Sequence, residues 1–256
     1  MSGQTHNDLV LEDGVYISDL CRSTFKHFEE TYLALRSKEK RVLNVEQIKD
    51  LPFPKKGHPD FDLWKIRRHN IFRVLHYLRH KKTAYKILDI GCGNGFFTNM
   101  MAQQGHLVTG VDVNITELKQ AAAAFPDSTV HWLALDILRE SPPSAPYDCI
   151  TFCTSFQYFK DAELLLNRCQ QLLKPGGEIH IIDSPFYAPG QLEQARENSR
   201  KHFSENGLEQ MNQFYHHHTL DVFKPYHFRY GYRSKSIFKK LLRLKDSPFP
   251  WIILRV

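Results

Sequence analysis

Apolar residues along this chain fall into two rhythms. Short runs of four to seven stop at an acid or a glycine, and longer stretches repeat every three or four positions. Between residues 85 and 184 the two rhythms alternate regularly. Residues 85–90, Tyr-Lys-Ile-Leu-Asp-Ile, predict a strand, and Phe96 to Gln104 a helix. His106 to Asp112 predicts a second strand, Thr129 to Leu135 a third and Tyr147 to Cys153 a fourth. Ala162 to Leu173 is an amphipathic helix, and Glu178 to Asp183 predicts a fifth strand. Between them, Lys174-Pro-Gly-Gly177 ends the helix and turns the chain, because proline cannot continue a helix and glycine supplies the left-handed C-cap. Strands that alternate with helices imply an α/β fold, since parallel strands need crossover connections.

The flanks follow other patterns. Residues 1–15 read as weakly ordered. Ser18 to Lys40 predicts an amphipathic helix, with Leu20, Phe25, Phe28, Tyr32 and Leu35 near helical spacing. Asn44-Val-Glu-Gln47 resembles a capping box and predicts a short helix that ends before Pro52. Three prolines and a glycine make residues 51–59 a loop. A longer helix runs from about Asp60 to His80, with Phe61, Trp64, Ile71, Leu75 and Leu78 on one face. After Asp183, Gly190 to Gln213 reads as polar and helical, 226–232 as a strand, Ser234 to Leu244 as a basic amphipathic helix and 247–256 as a final strand. There is no internal repeat and no low-complexity tract.

The chemistry concentrates at the end of the first of the regular strands. Asp89 is followed by Gly91, Gly93 and Gly95, and then by the helix. A loop without side chains lets backbone approach a ligand, and a helix N-terminus offers it unsatisfied N–H groups. A dinucleotide loop has the spacing G-x-G-x-x-G, which would need a glycine at position 96, where Phe96 stands. That residue counts against a nicotinamide-dependent oxidoreductase. The spacing instead resembles motif I of the class I S-adenosylmethionine-dependent methyltransferases, D/E-x-G-x-G-x-G. Leu173-Lys-Pro-Gly-Gly177 before a strand is similar to a second hallmark of that family, and the likeness extends in order over residues 85 to 184. The small-molecule branch, including quinone-biosynthesis enzymes, is the nearest in character. The Asn/Asp-Pro-Pro-Tyr signature of base-methylating relatives is absent, and Thr154-Ser155-Phe156-Gln157 stands in its place.

The resemblance implies a Rossmann-like, doubly wound, seven-stranded and mostly parallel sheet with an antiparallel last strand. It implies a helical N-terminal extension or lid over residues 1–82, a methyltransferase domain over 83–256, and a lid segment at 190–225 after the fifth strand. S-adenosylmethionine is the implied cofactor. Asp89 would attract its positive end, across the loop of Gly91, Cys92, Gly93 and Gly95. Asp112 and Val113 would meet its ribose, Asp136 and Ile137 its adenine, and Thr154 and Ser155 its methionine end. The implied reaction is in-line methyl transfer, in which the protein aligns the reactants and excludes water. Trp64, Arg67, Arg68, Phe156 and Tyr158 are placed as substrate or lid residues, with core packing and solvation as the plainer reading of Trp64 and the arginines.

Charge sharpens the substrate question. The net charge is +6, but residues 87–195 carry twelve acids against five bases, and residues 36–86 carry fifteen bases against five acids. Residues 196–256 are basic as well, twelve against five. A basic lid over an acidic cofactor domain favours a small anionic metabolite. A tRNA or protein methyltransferase is the second reading, although no nucleic-acid module accompanies the basic residues. A catalytically inactive cofactor-binding regulator is the third. Tyr215, His216, His217 and Asp183 are the candidate catalytic residues, with histidine suited to base catalysis near neutral pH. Surface or structural roles compete for the histidines. Metal binding is disfavoured, because adjacent residues make poor ligand spacing and no acidic cluster accompanies them. The five cysteines lack C-x-x-C spacing, the N-terminus lacks a secretory signal, and no run approaches the ~20 apolar residues of a membrane span. Those features together predict a cytoplasmic protein with free thiols.

Overall fold

The computed structural model describes residues 9–233 and 246–255. The chain opens with two short strands, β1 (Leu9–Glu12) and β2 (Val15–Ser18). They pair as a hairpin through Asp13-Gly14, both at positive φ (49° and 82°). Asp-Gly is the strongest two-residue hairpin signal, so residues 9–18 are ordered strand and not the loose N-terminus expected from composition. Three helices follow: α1 (Asp19–Lys38), α2 (Val45–Lys49) and α3 (Phe61–Arg79). Ser18 caps α1, and Asn44 and Gln47 form the expected reciprocal capping box on α2.

Next come β3 (Lys86–Ile90), α4 (Phe96–Ala102), β4 (Leu107–Asp112), α5 (Ile115–Ala124), β5 (His131–Ala134), β6 (Tyr147–Cys153), α6 (Ala162–Leu172) and β7 (Leu173–Ile182). A small parallel pair, β8 (Phe186–Tyr187) and β9 (His218–Thr219), brackets α7 (Leu192–Glu205). The chain returns to the main sheet as β10 (His227–Tyr232) and β11 (Trp251–Arg255). The basic helix expected over 234–244 lies outside the described residues.

The main sheet has nine strands in the order β1-β2-β5-β4-β3-β6-β7-β11-β10. Seven of them, from β5 to β10, reproduce the expected doubly wound sheet, and β11 is antiparallel to both its neighbours. The N-terminal hairpin adds two more on the β5 edge, where β2 pairs in parallel with β5. Strand order reverses between β3 and β6, which makes the carboxyl ends of those strands the natural crevice. The Lys174–Gly177 turn is absorbed into β7. Leu173 pairs with Tyr147 and Glu178 with Cys149, so four residues loop out opposite one.

Both faces of the sheet are covered, so its strands are apolar throughout rather than alternating. Ile87, Val108 and Trp132 pack under α3, α4 and α5. Leu88, Ile150 and Phe152 pack on the other face, under α6. A third, smaller cluster of Leu35, Phe203 and Met211 joins α1 to α7 and the turn after it.

Candidate active site

A cavity of about 320 Å³ opens at the carboxyl ends of β3, β4, β5 and β6, at the small end of the range for small-molecule sites. Its floor is the glycine loop and the ends of those strands. Its roof is α1, the start of α3 and the segment after β6.

The floor is prearranged by short hydrogen bonds. Asp89 is buried and accepts from the Thr98 hydroxyl at 2.6 Å and the Thr151 hydroxyl at 2.7 Å. Burial pushes its carboxyl up to about 6, against those two bonds. Asp112 accepts the Gly93 N–H and the Asn114 N–H, each at 2.8 Å. Burial raises its carboxyl too, and the same backbone N–H groups oppose the rise. Each Asp112 oxygen keeps a lone pair for a ligand. Asp136 accepts the Leu138 N–H at 3.0 Å, and Glu140 accepts the Asp136 N–H at 2.7 Å. Ser155 donates to the Ile90 carbonyl at 2.6 Å, tying the β6 loop to the end of β3. Thr154, beside it, sits at φ +58°, an unusual conformation for a branched side chain.

The loop glycines serve packing more than ligand approach. A Cβ on Gly91 would lie 2.3 Å from the Ser155 Cβ. One on Gly95 would lie 2.4 Å from the Trp132 ring, at a residue whose φ is +74°. Gly95 is therefore buried behind the loop and does not line the cavity.

The roof is aromatic and basic. Phe28 and Tyr32 of α1 meet Tyr158 edge-on, with centroids 6.1 and 5.8 Å apart, and Phe214 meets Phe28 at 5.1 Å. Trp64 meets Phe96 at 5.0 Å, with the Arg67 guanidinium 5.8 Å from the indole. Arg67 has a buried Nε without a hydrogen-bond partner, and neither it nor Lys160 forms an ion pair among the described residues. Arg36 and Arg41 also reach the cavity but pair with Glu39 and Asp60.

Of the expected cofactor and lid residues, Asp89, Gly91, Cys92, Gly93, Asp112, Val113, Asp136, Ile137, Thr154, Ser155, Trp64, Arg67 and Tyr158 line the cavity. The others stand elsewhere. Arg68 lies over Phe53 at 5.4 Å. Phe156 is fully buried among Phe152, Phe186 and Phe223.

The expected catalytic set is outside the cavity altogether. The His216 backbone N–H binds the Gln157 carbonyl, and burial pushes its imidazole down to about 4, away from a useful base strength at neutral pH. His217 shares a hydrogen bond with Ser199 at 2.9 Å and stacks near Tyr187 and Tyr215. Tyr215 packs on Tyr158 and Phe203 behind the roof. Asp183 is buried at φ +52° and accepts from Asn70 at 2.6 Å and Ser247 at 2.7 Å, joining α3 to the end of the sheet.

Residues 87–177 match the family model described as a methyltransferase domain. Those residues therefore carry a methyltransferase domain. Beyond it, a ubiquinone biosynthesis O-methyltransferase of Idiomarina loihiensis is 30% identical over 127 residues, covering 47% of this chain and 52% of the relative. An uncharacterized methyltransferase of Mycobacterium bovis is 29% identical over 96 residues, 38% of this chain and 49% of the relative. The chain thus spans about half the length of the curated relatives it matches. Among solved structures, geranyl diphosphate C-methyltransferase from Streptomyces coelicolor has a TM-score of 0.58 at 14% identity, covering 88% of this chain and 96% of that one. The plantazolicin methyltransferase bound to SAH has a TM-score of 0.52 at 17% identity, with 92% and 99% covered. Those two share the fold of the methyltransferase domain.

Sequence reasoning missed several lining residues. Phe25, Phe28 and Tyr32 lay on the apolar stripe of α1, and Arg36 beside it was not singled out. Asn114 and Glu117 were not singled out at all; they cap α5, where Asn114 accepts the Glu117 N–H at 3.0 Å, and both line the cavity. Among the described residues no group of three or more His, Cys, Asp or Glu is placed to hold a metal ion, and no helix is long and apolar enough to cross a membrane.

Proposed function

We propose that this chain transfers a methyl group from S-adenosylmethionine to a small metabolite, with an anionic acceptor favoured. The observation that carries the reading is Asp112. Its two oxygens are fixed by backbone N–H groups at the carboxyl end of β4, next to the switch point of the sheet, with lone pairs left for a ribose. The cavity residues suit the cofactor. Asp112 and Val113 would hold the ribose, Asp136 and Ile137 the adenine, and Thr154, Ser155 and the glycine loop the methionine end. Arg67, with no carboxylate partner among the described residues, would meet a carboxylate of cofactor or acceptor. When bound, the cofactor supplies a methyl group on a sulfonium. The chain's residues orient it and keep water out: the ring wall of Phe28, Tyr32, Tyr158 and Phe214 desolvates the acceptor side. Arg67, which forms no ion pair among the described residues, and exposed Lys160 support the choice of an anion.

The test is twofold. Calorimetry should show S-adenosylmethionine binding in the micromolar range, and binding of NAD in its place would sink the reading. Labelled methyl from the cofactor, offered to a fractionated cell extract, should appear in the small-molecule fraction. Label in RNA or protein would overturn the choice of acceptor.

A further inference from the structure

One carboxylate on the cavity wall has no role in the site assigned so far. Glu117 lines the cavity from the first turn of α5, half-buried, without a side-chain hydrogen bond or ion pair among the described residues. Its Oε2 rests on the glycine loop, 3.1 Å from where a Cβ on Gly93 would stand. The N–H of the same Gly93 binds Asp112. Two carboxylates therefore flank one loop residue. Asn114 lines the same wall, and its buried Nδ2 has no partner.

Two neighbouring acids that are both taken from water oppose each other's ionisation. Burial first, and Asp112 second, push the Glu117 carboxyl up to about 7. Such a pair is unfavourable in an empty cavity and favourable once a ligand gives a donor to each. A vicinal diol does this. It offers one O–H to each carboxylate and an oxygen to a nearby amide N–H.

We propose that Glu117 is a second acceptor for the cofactor's ribose, so that Asp112 and Glu117 hold one hydroxyl each. The proposal rests on the cofactor reading above. The other charged and titratable groups facing Glu117 are Arg36, Glu29 and Tyr32 on α1, Cys92 of the glycine loop and Tyr158 after β6; Arg36 favours its ionised form and Glu29 opposes it. The ionised carboxylate is the stronger acceptor. Cofactor affinity therefore rises as pH passes upward through 7, and binding below 7 releases a proton.

Calorimetry on the full chain with S-adenosylhomocysteine and its 2′-deoxy and 3′-deoxy analogues tests this. Glu117→Gln should weaken S-adenosylhomocysteine by about tenfold or more. One of the two deoxy analogues should bind wild type and variant alike, because the hydroxyl that Glu117 holds is gone. Proton release at pH 6.5, read from two buffers of different ionisation heat, should fall in the variant to the smaller share that Asp89 supplies. If the variant does not fold, the wild type carries the test: one analogue should show the same fall in proton release and the other keep it. An equal loss across all three ligands, or none, overturns the proposal. Failure of the wild type to bind S-adenosylhomocysteine at all would overturn the cofactor reading, and the proposal with it.

Discussion

The floor and roof of the cavity are built by different means. On the floor, each acid is held within its own loop or by a strand neighbour: Asp112 by N–H groups one or two dozen residues away at most, Asp89 by Thr98 and Thr151. On the roof, rings from α1, the turn after β6 and the segment before β9 meet edge to edge, across nearly two hundred residues of sequence. Directional bonds fix atoms, whereas ring edges fix a shape and leave its contents variable. The floor is thus suited to one constant ligand, and the roof to an acceptor that differs from one enzyme to the next.

The sharpest way to break this comparison is at Asp112. Asp112→Ala removes the proposed ribose acceptor and leaves the Gly93 and Asn114 N–H groups without that partner. Calorimetry should show S-adenosylhomocysteine affinity falling by about a hundredfold or more. A loss under threefold would mean that the floor does not bind the cofactor this way.

The same contrast explains what was legible in the sequence. Asp89, the three glycines, Asp112 and Asp136 lie in short segments whose order alone places them at adjacent strand ends. The roof depends on how α1 lies across the sheet, which no local spacing records. Phe28 and Tyr32 had the period of core residues and are half-buried cavity wall. His216 and His217 looked available for chemistry because charge and polarity are visible in a sequence, and a turn away from the cavity is not. Asp13-Gly14 was legible by turn chemistry but was overshadowed by the polar residues before it.

The second prediction asks whether the floor is rigid by packing. Gly95→Ala puts a Cβ into the Trp132 ring at positive φ and should cost about 3 kcal/mol. Gly105, also at positive φ but facing open space, should cost only about 1 kcal/mol as Ala. Thermal unfolding of the two variants side by side checks this, and equal losses would mean that backbone conformation alone sets the cost. On the roof, Phe28→Ala removes three ring contacts, to Tyr32, Tyr158 and Phe214. It should raise the acceptor KM by about tenfold while leaving cofactor affinity within about threefold. If cofactor affinity falls as much as KM rises, floor and roof are not separable. The smallest effect is expected at the histidines. His216→Ala and His217→Ala should each leave kcat within about threefold, because removing a group from outside the cavity touches neither reactant. A kcat loss of a hundredfold would restore a histidine to the chemistry.

The joint at Asp183 has a consequence for motion around the site. Asn70 and Asp183 are both buried, and their contact, with Ser247, bolts the middle of α3 to the rim of the sheet. The far end of α3 is fastened as well, through Tyr77 and Glu178. By contrast, the polar ties of α1 to its neighbours include exposed ones, such as Glu29 to the Thr116 N–H and Glu39 to His202. Exposed bonds exchange with water at little cost, and buried ones do not. The wall bearing Trp64 and Arg67 is therefore bolted along its length, whereas α1 is fixed at its Ser18 end by a buried bond to Glu140, and amide exchange is expected to be faster in its later turns than in α3.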